Sequence, residues 1–180
     1  ANGDDPTPVI PYQERKSISS ERTFDQDTTD IPKLKGLMVA MTENLAYQLR
    51  QGHKLTSCVT VKIRYSDFQT HTVQARIPYT SSDHVLIPQV HELFNKLFDR
   101  RMLIRLIGVK FSHLVSGGQQ INLFDESEER IELYSALDDI RNKFGARAII
   151  SAAGLNAKSI GGNNNPFNGG PPILLANRRQ

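Results

Sequence analysis

Between residues 59 and 77 the chain alternates with a period of two, and it does so twice. Val59, Val61 and Ile63 alternate with Thr60, Lys62 and Arg64; beyond Ser66-Asp67, Val73, Ala75 and Ile77 alternate with Thr72, Gln74 and Arg76, with Thr70 just ahead. Successive side chains of a strand point to opposite faces. Each run therefore has one oily and one polar face, and two such runs joined at a turn read as a β-hairpin. A sheet built on this hairpin must cover one face and can leave the other to water.

The neighbouring segments supply the cover. Leu34, Met38, Met41, Leu45 and Leu49 recur at steps of three and four, the spacing of one helix face. Asp30 is placed to cap that helix, Ile31 to start it, Pro32 to sit in its first turn and Gly52 to end it. A second amphipathic helix is expected from about Asp83 to Asp99, with Ile87, Val90, Phe94 and Leu97 inward and Pro88 near its first turn. A strand from Lys16 to Phe24 precedes the first helix. Ile18 and Phe24 share core parity there, and Ser17, Ser19, Glu21 and Thr23 point the other way. A long last strand, Met102 to Val115, is dense in Leu, Ile, Val and Phe. The order is β-α-β-β-α-β, and the fold class is α+β. It predicts a four-stranded antiparallel sheet with two helices on one face and Thr, Gln, Lys and Arg on the other.

The remaining segments divide by composition. Residues 1–14, with Pro6, Pro8 and Pro11 among acids and small residues, read as a linker. Residues 15–116 form the sheet domain. Residues 117–126 hold a Gly117-Gly118 hinge and a short apolar island. Residues 127–156 read as a helical extension: Ile131, Tyr134, Leu137, Ile140 and Phe144 have helical spacing, and Gly145 is the stop. Residues 157–180, with Gly161-Gly162-Asn163-Asn164-Asn165 and Pro171-Pro172, read as a flexible tail. Charge follows these divisions: residues 15–116 carry 15 basic and 9 acidic side chains, whereas 117–145 carry 3 basic and 7 acidic. A basic block followed by an acidic one suggests two segments with different partners. One cysteine suits a reducing compartment, and no apolar run approaches the roughly 18 residues of a membrane span, so a cytoplasmic protein with no membrane partner is expected.

Catalytic chemistry is hard to find. Nucleotidyl transfer needs carboxylates that share metal ions. Asp138-Asp139 is the tempting pair, but adjacent helix positions diverge by about 100°, and the pair reads as a solvated helix face. Asp4-Asp5 lies in the Pro-rich tail. There is no P-loop, no His-Glu-x-x-His and no Gly-x-Ser-x-Gly, and His53, His71, His84, His91 and His113 lack zinc-ligand spacing. Cys58, beside a strand, reads as a buried small hydrophobe. No catalytic residue, metal site or cofactor is expected in this chain.

Three segments carry positive signal. They are Arg15-Lys16-Ser17-Ile18-Ser19-Ser20-Glu21-Arg22-Thr23-Phe24, then Arg105-Leu106-Ile107-Gly108-Val109-Lys110-Phe111-Ser112, then Gln120-Ile121-Asn122-Leu123-Phe124 followed by Leu137-Asp138-Asp139-Ile140-Arg141-Asn142-Lys143-Phe144-Gly145. In that order and spacing they resemble the C-terminal region of bacterial Y-family DNA polymerases of the polymerase-IV type, over residues 15–155. The resemblance implies a little finger domain, tethered to a polymerase core that holds Mg²⁺ and is missing from this chain. It implies a parent enzyme that copies past damaged bases, with this fragment as its non-catalytic grip on primer-template DNA.

A grip that tolerates damaged bases should hold phosphates and not base edges. Ser17 and Ser19 can donate to phosphate oxygens, with Lys16 at the junction before them. Arg105 and Lys110 match positions where the resemblance implies basic side chains on the template backbone, whereas Leu106 stands where relatives carry a second basic residue. Residues 105 and 110 have opposite parity, so both face DNA only across a bulge, for which Gly108 is the expected place. Thr23, Arg64, Thr70, Thr72 and Arg76 are candidates on the same face. Gln120, Leu123 and Phe124 fit the pattern Gln-x-x-Leu-Phe of sliding-clamp-binding peptides. The alternative is a stand-alone RNA- or single-strand-binding module, since RNA recognition modules share the β-α-β-β-α-β order; such modules stack bases on exposed aromatics, and the hairpin offers none.

Overall fold

The structure, a computed structural model, describes Pro8 and residues 14–98, 102–117, 128–145 and 148–159. Its elements are β1 (Ser17–Thr28), α1 (Ile31–Gln51), β2 (Lys54–Tyr65), β3 (Thr70–Thr80), α2 (Asp83–Leu97), β4 (Ile104–Ser112), a two-residue β5 (Val115–Ser116), α3 (Glu128–Phe144) and a 3-10 helix (Ala152–Ser159). The first six run β-α-β-β-α-β, as the periodicities predict. The sheet is antiparallel in the order β1-β4-β2-β3, so β4 lies between β1 and β2.

One face of this sheet is oily and covered. Val59, Val61 and Ile63 of β2 lie opposite Phe111, Val109 and Ile107 of β4, and all six are at most 1% exposed. Leu34, Met38, Met41, Leu45 and Leu49 of α1 and Leu86, Val90, Leu93 and Phe94 of α2 pack against them. Val73, Ala75 and Ile77 of β3 flank the same cluster. Fully burying one such aliphatic side chain contributes about 1.5–3 kcal/mol, so the helices are held on this side. Asp30 caps α1 by accepting from the Lys33 N–H at 3.0 Å, Pro32 sits in the first turn, and Gly52 follows the last residue.

Four expectations are corrected. The last strand is not continuous to Val115: His113 adopts φ +54°, the chain turns, and β5 pairs with Lys54 and Leu55 of β2. In α2 the buried stripe uses Leu86 and Leu93 beside Val90 and Phe94, while Ile87 is only half-buried, so the stripe is rotated from the expected one. On α3, Ile140 and Phe144 are exposed and the buried residues are Asp138 and Arg141; Asp138 is not solvated. The helix turns its polar ridge inward because acids and bases await it there. Finally, Gly108 lies in regular register, opposite Glu21 and Lys62. The bulge is at Arg105: Arg64 pairs Leu106, Tyr65 pairs Ile104, and Arg105 has no opposite residue.

The helix layer carries a second covering. Leu37, Val39 and Ala46 of α1 are buried in addition to its predicted stripe. The 3-10 helix lies against α1 so closely that a Cβ on Gly36 would stand 2.7 Å from the Ala153 carbonyl oxygen. α3 ends at Gly145, whose φ of +97° suits glycine alone. Among the described residues, no helix is long and apolar enough to cross a membrane.

Candidate nucleic-acid interface

The uncovered face follows from register. Directly opposed residues of antiparallel strands share a face, so the pairings define rows across β1, β4, β2 and β3. One row is Ser17, Ser112, Cys58 and Arg76; the next is Ser19, Lys110, Thr60 and Gln74. The third is Glu21, Gly108, Lys62 and Thr72, and the fourth Thr23, Leu106, Arg64 and Thr70. Hydroxyls and cations dominate these rows, Glu21 is their one acid, and none of their positions is aromatic.

Ser17, Ser19, Thr23, Arg64, Thr70, Thr72, Arg76 and Lys110 therefore all fall on one surface, as expected from parity. Lys16 is exposed just before β1. Arg105 lies at the end of β4, outside the four rows. The bulge releases it from strict alternation, and its guanidinium extends to Asp27 at 3.7 Å and to the Phe68 ring, with 4.6 Å from Cζ to the centroid. Arg64 Nε donates to Thr70 Oγ1 at 2.8 Å, which orients that guanidinium along the same end of the face. Cys58, at 1% exposure, is buried as expected even though its row faces outward.

Two members were missed by sequence reasoning. Lys62 was visible in the alternation but not singled out, and it sits at the centre of the face. Its ammonium pairs with the Glu21 carboxylate across β4. That crossing needs Gly108, since a Cβ there would lie 2.7 Å from Glu21 Cγ. Glycine at this position serves a side chain passing over the strand, not a bulge within it. Thr60, between Lys62 and Cys58, adds a further hydroxyl.

Gln120, Leu123 and Phe124 lie outside the described residues, as do residues 1–7 and 160–180. The flanks of the 118–127 segment are described. Gly117 donates its N–H to the His53 carbonyl at 3.1 Å, and α3 is docked on the helix layer, away from the open face. Docking centres on Arg50. Its Nε and Nη2 donate to the two oxygens of Asp138 at 2.6 and 3.0 Å, and Nη1 donates to Asp83 Oδ1 and the Ser81 carbonyl, both at 2.8 Å. The Tyr134 ring lies 4.9 Å from the guanidinium carbon, the His84 N–H donates to Tyr134 Oη, and Tyr47 Oη donates to Asn142 Oδ1. Burial works against the Arg50 charge, but Asp138 and Asp83 outweigh it and raise its pKa. Burial pushes the Asp83 carboxyl up, against the pull of Arg50. Among the described residues, no group of three or more His, Cys, Asp or Glu is gathered to hold a metal ion.

Residues 15–123 match the family model described as the impB/mucB/samB family C-terminal domain. The chain belongs to that family. A DNA polymerase IV of Clostridium acetobutylicum is 37% identical over 155 residues, covering 83% of this chain and 39% of that protein. One from Dehalococcoides mccartyi is 35% identical over 152 residues, again covering 83% and 39%. The chain thus spans about two-fifths of the length of these curated relatives. Among solved structures, a post-insertion binary complex of Dbh DNA polymerase shares the fold, with a TM-score of 0.50, 16% identity, and coverage of 56% of this chain and 29% of that one.

Proposed function

We propose that this little finger grips the sugar-phosphate backbone of primer-template DNA for a translesion DNA polymerase of the polymerase-IV type. The observation that carries the reading is the open sheet face. Ser17, Ser19, Thr60, Thr70 and Thr72 interleave there with Lys62, Arg64, Arg76 and Lys110, and the core helices lie on the other side. Four strands span about 14 Å at the usual strand spacing, close to the roughly 12 Å width of the B-DNA major groove. Hydroxyls and cations address phosphates, which carry no base identity, so such a face tolerates a distorted base. The absence of aromatic side chains from the four rows weighs against base stacking and so against the RNA-module reading. Family membership and relatives named DNA polymerase IV support the parent activity. Its Mg²⁺ chemistry would belong to a polymerase core outside this chain.

Gln120, Leu123 and Phe124 complete the proposal as a sliding-clamp peptide. Leu and Phe would fill an apolar pocket, contributing about 1.5–3 kcal/mol each before ordering costs, and shared tethering on DNA would raise the effective affinity.

The deciding experiment is duplex binding by the 180-residue chain as a function of salt. Each phosphate neutralised contributes about −0.9 to the slope of log K against log salt. Arg105→Ala with Lys110→Ala should weaken binding on all sequences alike and flatten the slope by about 1.8. Unchanged affinity and slope would remove both residues from the grip. Phe124→Ala should abolish clamp capture and leave duplex binding intact; retained capture would refute the peptide assignment.

A further inference from the structure

The β2–β3 turn presents an aromatic side chain that neither the core nor the four rows of the open face uses. Phe68 is 64% exposed and holds φ +64°. A bulky non-glycine residue at positive φ is uncommon and costs energy, so it persists only where its surroundings over-determine it. They do so here. The Phe68 N–H donates to the Tyr65 carbonyl at 3.0 Å, the Tyr65 N–H to the Gln69 carbonyl at 3.1 Å, and the Gln69 N–H to Asp67 Oδ1 at 2.9 Å. The Ser66 N–H donates to the Leu103 carbonyl at 2.9 Å, tying the turn to the approach of β4. Burial does not repay this conformation, because the ring stays largely in solvent. What the ring does touch is Arg105, whose guanidinium carbon lies 4.6 Å from its centroid. Arg105 is itself displaced from the ladder by its bulge. Two local irregularities, one in each strand pair, thus bring one cation and one aromatic face together at an end of the open sheet.

We propose that Phe68 is a positioning residue of the DNA grip, its ring holding the Arg105 guanidinium in the orientation in which it meets a phosphate. The inference rests on the proposed DNA-binding role of the open face and goes one step beyond it. Guanidinium planes stack on aromatic faces and keep their outward N–H groups free. A long side chain held this way loses less freedom on binding than one that must be ordered by the ligand. Asp27, at 3.7 Å, offers a loose counter-charge that a phosphate can replace. Phe68 itself need not touch DNA.

The test is a double-mutant cycle on the full chain, read by fluorescence anisotropy of a labelled primer-template duplex at fixed salt. Phe68→Leu keeps apolar bulk and removes the π face; it should weaken binding about three- to tenfold, and Phe68→Tyr should restore it. In an Arg105→Ala background, Phe68→Leu should have no further effect. Thermal unfolding of each variant checks that the exposed site leaves the fold intact. If Arg105→Ala weakens binding while Phe68→Leu is silent, or if the two losses multiply, the positioning role is refuted and the grip stands. If Arg105→Ala itself has no effect, Arg105 leaves the grip and the inference falls with it.

Discussion

Arg50 and Asp138 meet through two parallel hydrogen bonds, Nε to Oδ2 at 2.6 Å and Nη2 to Oδ1 at 3.0 Å, with both side chains only 11% exposed. This fork joins the middle of α3 to the end of α1 across 88 residues of sequence. It ties the C-terminal helix to the helix layer of the sheet domain. A partly exposed pair would contribute little; a buried one is costly to break from one side, because the surviving charge is stranded. Asp138→Ala should therefore lower stability by about 3 kcal/mol, softened by the contact Arg50 keeps with Asp83. Urea unfolding measures this, and a loss under about 1 kcal/mol would show that α3 is only loosely held.

The second attachment is steric. The Ala153 carbonyl occupies the space a side chain at Gly36 would take, at 2.7 Å from an ideal Cβ. Gly36→Ala sets two effects against each other. Helix propensity favours alanine by about 1 kcal/mol, and overpacking costs about 1–3 kcal/mol. The clash is with backbone, so the 3-10 helix must move while α1 stays. The expected outcome is faster amide exchange across residues 148–159, by about tenfold or more, with global stability changed by less than about 2 kcal/mol. Unchanged exchange would mean the helix is not seated on Gly36.

These two attachments mark where sequence stopped informing. Period-two alternation in β2 and β3 and the Leu34-to-Leu49 stripe each bury one face, so they exposed the sheet and its open side directly. The docking of α3 left no such trace. Of its regularly spaced apolar residues Ile140 and Phe144 remain outside, Tyr134 turns in against Arg50, and the buried Asp138 beside it reads from sequence as a solvated face. A buried charge is recognised only with its partner, and Arg50 lies far away along the chain. The bulge was misplaced for a related reason. Glycine in a strand signals either a kink or a close approach, and only the register shows Glu21 passing over Gly108.

That crossing leads to a further expectation about the open face. Glu21 and Lys62 are 40% and 34% exposed, so their ion pair contributes about 0–1 kcal/mol and is readily exchanged for a stronger partner. While it lasts, the central cation of the face is occupied by the protein's own carboxylate. Glu21→Gln keeps the shape and releases Lys62. Duplex binding should then tighten severalfold at low salt, and the slope of log K against log salt should steepen by about 0.9, one added phosphate contact. Removing any acid from a DNA-facing surface tightens binding somewhat through long-range attraction. The specific claim lies in the partner: in a Lys62→Ala background, Glu21→Gln should leave the slope where it was. Gly108→Ala reaches the same end without changing charge, since its Cβ would displace the Glu21 side chain. Slopes that respond equally with and without Lys62 would reduce Glu21 to background charge, whereas a response confined to chains that retain Lys62 makes it a restraint on the grip.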